Sequence, residues 1–174
     1  MANHFLVGLS SNVAAELLSS AEDDEQFYIV TSSNQSSPQS GYKSLISKVF
    51  SLDLSSASYL EIANIVETLP EINRLTYLAG LAIGKSFADT TDVLLDAVYN
   101  VNVLSFFRIV RALHQHNKLA VNSSIVAVSS VSASKGGFDD AYNSSKAALS
   151  GLVRSLSAKL SPRTRINILA PGII

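Results

Sequence analysis

Short apolar runs alternate along this chain with longer stretches of helical period, and that alternation limits its fold more than any other feature. Six runs read as strands: His4 to Gly8, Phe27 to Thr31, Lys48 to Leu52, Leu75 to Ala79, Ser124 to Val128 and Arg165 to Leu169. Most are apolar at successive positions, as a strand covered on both faces requires. Between them, helices are expected over Val13 to Ser20, Ala57 to Leu69, Asp89 to His116 (two helices or one bent one) and Tyr142 to Leu160. Each is long enough to cross back over a sheet, which is the sequence sign of βαβ units. The segment SSNQSSPQSGY, Ser32 to Tyr42, reads instead as a flexible loop. With no internal repeat and no second composition regime, the expectation is a single α/β domain over residues 1–174, a doubly wound parallel β-sheet flanked by helices. Ligands in such a sheet bind at the carboxyl ends of the strands, where the strand order switches.

Composition narrows the function classes. The chain is 47% apolar and only 16% charged, against roughly 25% charged in an average soluble domain, so much of it is expected to be buried on more than one face. Thirteen Lys and Arg against fourteen Asp and Glu leave a net charge of −1, which gives no general attraction to nucleic acid or anionic membrane. Without cysteine there is no disulfide framework, thiolate nucleophile or Cys-ligated zinc, as suits a reducing, cytoplasmic protein. The start, MANHFLVGLSSN, has no basic region followed by a long apolar core, and no run reaches the roughly 18 apolar residues of a membrane span. His114 and His116 sit near a helix end, where they suit the helix dipole better than a metal. Asp23, Asp24 and Glu25 read as a solvated loop, and Phe106 and Phe107 with Val103, Ile109 and Val110 as a core face.

Two segments carry chemistry. After the first strand, Gly8-Leu9-Ser10-Ser11-Asn12-Val13-Ala14 makes a small-residue turn into a helix, where a dinucleotide-binding fold places its pyrophosphate. Asn12 tolerates positive φ best after glycine, and Ala14 is the smallest side chain for a close helix contact. Backbone amides at Ser10 to Val13 would face an anion; the same residues also suit an ordinary βα turn with a Ser or Asn cap. Farther on, Tyr142-Asn143-Ser144-Ser145-Lys146 puts a phenol and an ammonium on one helix face. A phenol with a cation beside it is a workable general acid or base, because the cation favours the phenolate. Upstream, the strand Ile125 to Val128 delivers Ser129 and Ser130 at its carboxyl end. Hydroxyl, phenol and ammonium together would hold a carbonyl oxygen by hydrogen bonds while hydride arrives from the other side.

In this order, nearly the whole chain resembles the short-chain dehydrogenase/reductase family. Gly8 to Ala14 is similar to the family's TGxxxGxG turn, Asp53-Leu54 to its acidic pair after the third strand, and Leu78-Ala79-Gly80 to its Asn-Ala-Gly element. Val101-Asn102-Val103 resembles the segment carrying its structural and catalytic Asn, Ser129-Ser130 with Tyr142 and Lys146 its catalytic group, and Pro171-Gly172 its nicotinamide border. The turn departs from the pattern in lacking two glycines, Val7 stands for a Thr and Leu78 for an Asn.

The resemblance implies a Rossmann-type fold and an oxidoreductase moving hydride between NAD(P)(H) and a carbonyl or secondary alcohol. Tyr142 would give or take the proton, Lys146 would bind the nicotinamide ribose and lower the Tyr pKa, Ser130 would orient the carbonyl, and Asn102 would hold a relay water. Ser130 is preferred to Ser129 as the second of the pair, although Ser129 keeps the commoner spacing to Tyr142. The cofactor would lie along Gly8, Ser10, Ser11, Asn12, Val13, Ser32, Asp53, Leu54, Ala79, Gly80, Tyr142, Lys146, Pro171 and Gly172. At the end of the second strand, Val30-Thr31-Ser32 offers no carboxylate to repel a 2′-phosphate, which leans toward NADP over NAD. Family helices matching those of Phe106 and Tyr142 form subunit interfaces, so a homodimer or homotetramer is expected. The chain stops just after Pro171-Gly172, where relatives continue into a substrate loop and last strand, so the domain is expected to be C-terminally incomplete. A non-catalytic nucleotide-binding or interaction module is the alternative; a sugar-nucleotide epimerase is disfavoured for want of a substrate lobe.

Overall fold

The computed structural model describes residues 1–9, 12–32 and 44–172. Six strands, β1 (Ala2–Val7), β2 (Glu25–Thr31), β3 (Ile46–Ser51), β4 (Ile72–Tyr77), β5 (Leu119–Val128) and β6 (Thr164–Leu169), form one sheet in the order β3-β2-β1-β4-β5-β6. All five pairings are parallel. This is the doubly wound arrangement that the alternating pattern predicts, with the order reversing between β1 and β4.

Every strand starts before the apolar run that signals it. Ala2 and Asn3 pair with Glu25 and Gln26, and Ser123 with Thr164, whose hydroxyls also meet at 2.9 Å, with no apolar side chain at Asn3, Gln26, Ser123 or Thr164 to signal a strand. Glu25 is therefore no part of a solvated loop: it opens β2, is buried, and forms an ion pair with Arg74 of β4. Of the segment expected as a flexible loop, Ser33 to Tyr42 lies outside the described residues.

Helices α1 (Asn12–Ser19), α2 (Tyr59–Glu67), α3 (Asp92–Tyr99), α4 (Ser105–Gln115), α5 (Ser132–Lys135) and α6 (Asp140–Leu160) connect the strands. Along β1, Phe5 and Val7 enter one core cluster with Ile62, Phe106, Ile109 and Leu149, whereas Leu6 enters the other with Ala14 and Leu18. Burying each such large side chain stabilises the fold by about 1.5–3 kcal/mol. The α2 start is fixed by a reciprocal cap: Glu61 N–H donates to Ser58 Oγ at 3.2 Å and Ser58 N–H to Glu61 Oε2 at 2.8 Å.

The stretch expected as two helices or a bent one is continuous from Asp92 to Gln115 but widens to a π turn over Asn100–Leu104, where Ser105 N–H donates to the Asn100 carbonyl. By length and mean hydropathy this helix is long and apolar enough to cross a membrane, although it holds no consecutive apolar run of that length. Its Val98, Phe106, Ile109, Val110 and Leu113 instead pack into the domain. Phe107, expected in that core, is 40% exposed, because the buried arc passes through its neighbours Phe106, Ile109 and Val110.

Candidate active site

The crevice opens where the sheet reverses. Gly8 N–H donates to the Val30 carbonyl at 2.9 Å, and the N–H groups of Leu78 and Ala79 both reach the Val7 carbonyl, at 2.8 and 3.0 Å. Gly8 has φ +97°, and a Cβ there would lie 2.6 Å from the Ala79 nitrogen. Only glycine fits on both counts. The crevice holds about 350 Å³ and is lined by Gly8, Thr31, Ser32, Asp53, Leu54, Ala79, Gly80, Leu81 and Val101 among others. Asp53 closes its far edge in a side-chain turn, Oδ1 accepting from Ser55 N–H at 2.9 Å.

Sequence-expected residues distribute unevenly around this crevice. Asn12 and Val13 are exposed at the start of α1 and do not line it, while Ala14 is fully buried beneath them. Among the described residues, the first turn of α1 carries no acidic side chain, and the positive end of a helix dipole favours an anion. Ser10 and Ser11 lie outside the described residues.

Beyond Gly80 stands the polar group carried by α6. Lys146 is 2% exposed, and its Nζ donates to the Val128 carbonyl at the end of β5, 2.8 Å away. Burial pushes its pKa down to about 8, because desolvation penalises the charged form. An ammonium has three donors, so two remain for a ligand or water. Nζ lies 3.2 Å from where a Gly80 Cβ would stand, so the missing side chain brings lysine and loop backbone together. One helical turn earlier, the Tyr142 ring centroid is 5.6 Å from Nζ.

The serines divide. Ser129 is buried, its hydroxyl donating to the Lys146 carbonyl at 3.0 Å and lying 3.2 Å from Ser150 Oγ; it ties β5 to α6. Ser130 is half-buried, and its oxygen accepts from Ser132 N–H at 3.2 Å and Ser132 Oγ at 2.9 Å. Beside it, Val131 N–H donates to the Pro171 carbonyl at 3.1 Å, so Pro171 borders this loop, while Gly172 is exposed.

Asn102 sits in the π turn, fully buried. Its Oδ1 accepts from Leu81 N–H at 2.7 Å, and its Nδ2 donates to the Leu81 carbonyl at 3.0 Å and to Ser145 Oγ at 2.8 Å. Ser145 in turn donates to the Tyr142 carbonyl at 2.7 Å. Ser145 and Asp139, which caps α6 by accepting from Tyr142 N–H at 2.9 Å, were missed at the sequence level. An Asp three residues before Tyr142, at the head of a helical pattern, is the signal that finds the second.

The chain was compared with known proteins. The family model described as enoyl-(acyl carrier protein) reductase matches residues 18–174. L-2,3-butanediol dehydrogenase of Corynebacterium glutamicum is 33% identical over 111 residues, 62% of this chain and 43% of that protein. Human dehydrogenase/reductase SDR family member 4 is 37% identical over 92 residues, 51% of this chain and 33% of that protein. The chain thus spans less than half the length of these curated relatives. Among solved structures, a short chain dehydrogenase family protein from Francisella tularensis superposes with a TM-score of 0.84 at 24% identity, covering 99% of this chain and 70% of that one. A short chain dehydrogenase from Escherichia coli complexed with NADPH gives a TM-score of 0.81 at 19% identity, covering 98% of this chain and 76% of that one. Matched across residues 18–174 by the family model and across its length by these folds, the chain belongs to the short-chain dehydrogenase/reductase family.

Proposed function

We propose that the protein is a nicotinamide-dinucleotide-dependent oxidoreductase acting on a carbonyl or secondary alcohol. The observation that carries this reading is Lys146: a buried ammonium with donors to spare, under a side-chain-free Gly80, at the inner end of a crevice shaped by Gly8. Gly8, Ser32, Asp53, Leu54, Ala79 and Gly80 would hold the dinucleotide along that crevice, which would continue toward Lys146, Tyr142 and Pro171. Such a cofactor, when bound, donates or accepts the hydride. The Tyr142 hydroxyl gives its proton to the carbonyl oxygen in reduction and takes it back in oxidation. Lys146, charged below about pH 8, favours the phenolate and lowers the cost of that transfer. Ser130 hydrogen-bonds the same substrate oxygen, with Ser129 committed to the β5–α6 contact. Asn102 fixes Leu81 and Ser145 and so the walls on either side. At the end of β2 the crevice is lined by Thr31 and Ser32, with its carboxylate, Asp53, coming instead from the segment after β3, which favours NADP over NAD. Leu104 of the π turn and Phe107 of α4, 41% and 40% exposed, supply an apolar surface for a homodimer or homotetramer.

Thermal unfolding with NADPH and with NADH tests the reading. A ligand at a hundred times its Kd stabilises by about 2.7 kcal/mol, or roughly 5–10 °C in Tm for a chain of this size. The expected result is such a rise, larger with NADPH, and turnover of simple ketones that Tyr142→Phe abolishes while the rise persists. No rise with either dinucleotide at millimolar concentration overturns the proposal in favour of an interaction module.

A further inference from the structure

Outside the groups already assigned, one carboxylate holds two parts of the site at once. Asp139 Oδ1 accepts from Tyr142 N–H at 2.9 Å, the usual service of a helix cap. Its other oxygen faces away from the helix and accepts from Ile83 N–H at 2.7 Å and Gly84 N–H at 2.8 Å. Gly84 has φ +61°, the left-handed conformation that lets two successive amides converge on a single oxygen. These residues belong to the segment after β4 whose first part, Gly80 and Leu81, lines the crevice and touches Lys146. Asn102 grips that segment at Leu81 from the π turn. Asp139 grips it two and three residues later, from the start of the helix that carries Tyr142 and Lys146.

We infer that Asp139 is a positioning residue: its outer carboxylate oxygen clamps Ile83 and Gly84 onto the head of α6, and through them the Gly80–Leu81 wall of the crevice, setting the spacing between bound dinucleotide and the Tyr142 helix. The inference rests on the dinucleotide reading of the crevice, but the clamp itself is measurable without a ligand. A cap needs only one acceptor, which Ser supplies; the clamp needs the second, and hydrogen bonds to a charged acceptor are about twice as strong as neutral ones. Asp139→Ser therefore separates the two roles, whereas Asp139→Ala removes both.

The experiment follows amide hydrogen exchange by NMR, dinucleotide affinity by calorimetry and, where turnover is present, kcat and KM. In Asp139→Ser, exchange at Ile83 and Gly84 is expected to rise roughly tenfold. Leu81, bonded to Asn102 rather than to Asp139, is expected to follow, with Tyr142 protection retained. Affinity for NADPH and NADH falls roughly tenfold, and KM for the dinucleotide rises more than kcat falls. Asp139→Ala adds a lower Tm and loss of Tyr142 protection. Unchanged exchange at Ile83 and Gly84 overturns the clamp. Faster exchange there, with Leu81 protection and dinucleotide affinity both as in the parent, overturns its hold on the crevice. If the parent binds neither dinucleotide, the proposed function fails, and the inference stands or falls on Leu81 exchange.

Discussion

Replacing Tyr77 by Phe removes one oxygen from the largest fully buried side chain among the described residues. Tyr77 ends β4, is 0% exposed and packs edge-on to Phe106, with ring centroids 5.3 Å apart. Its hydroxyl donates to the Val101 carbonyl, and burial holds the phenol neutral far above the ordinary range. That carbonyl belongs to the π turn; a helix that widens to i+5 spacing and returns to i+4 passes over one carbonyl, which then needs a donor from elsewhere. Phe fills the same space, so the apolar contribution is nearly unchanged and the effect reduces to the hydrogen bond. Leaving a buried acceptor unsatisfied costs about 1–3 kcal/mol. For a domain of 150–250 residues each kcal/mol shifts Tm by about 2–4 °C, so Tyr77→Phe is expected to melt about 2–12 °C below the parent. Urea titration is expected to show a lower midpoint with an unchanged slope, since the exposed area is the same. Equal Tm and equal midpoint in the two proteins would mean that the Val101 carbonyl finds another donor and that β4 does not hold the π turn, which would refute the reasoning.

Other outcomes follow from single residues. Gly8→Ala places a Cβ 2.6 Å from the Ala79 nitrogen at φ +97°; backbone strain alone costs about 1–3 kcal/mol, so a clear drop in Tm and loss of any dinucleotide-induced rise are expected in thermal unfolding. Gly80→Ala is tight against the flexible Lys146 Nζ, at 3.2 Å, and in ordinary contact with Lys146 Cε and Asn102 Oδ1 at 3.7 and 3.8 Å, so it is expected to leave Tm within a few degrees while weakening dinucleotide binding measured by calorimetry. His4 is buried against Phe27, bonded to Thr76 through Nε2, and its pKa falls to about 4 by burial and by the Arg74 charge. The unfolded chain therefore binds the proton first as pH falls below 6.5, and stability drops through the window from 6.5 to 4, by roughly 3 kcal/mol in all. Urea midpoints across that window are expected to fall less steeply in His4→Leu; an identical slope would refute the assignment.

The strands were legible because a strand covered on both faces must be apolar at consecutive positions, as Phe5-Leu6-Val7 and Ile125-Val126-Ala127 are. Their amino ends were not, since Asn3 and Gln26 contribute backbone pairing without an apolar side chain, and Asn73 contributes a side-chain oxygen that accepts from Asn3 N–H. Tyr142 and Lys146 were legible by spacing: the Lys146 Nζ lies 5.6 Å from the Tyr142 ring centroid and 3.2 Å from where a Gly80 Cβ would stand. The π turn carries no composition signal, and Glu25 reads as solvent-facing until Arg74, 49 residues away in sequence, is placed against it. The same holds for Asp139, whose partners Ile83 and Gly84 are backbone amides and leave no mark on the sequence.

The lacing at the strand switch bears on how this chain can drift. Gly8, Leu78 and Ala79 are held there by main-chain amides reaching the carbonyls of Val30 and Val7. None of these bonds depends on a side chain at Val7 or Leu78, and Leu78 packs its apolar body against the α1-side cluster of Leu6, Phe27 and Ile29. Mutations at these positions can therefore exchange polar anchoring for packing without opening the crevice. Gly8 alone has no substitute there, because any side chain would meet the Ala79 backbone from a left-handed φ.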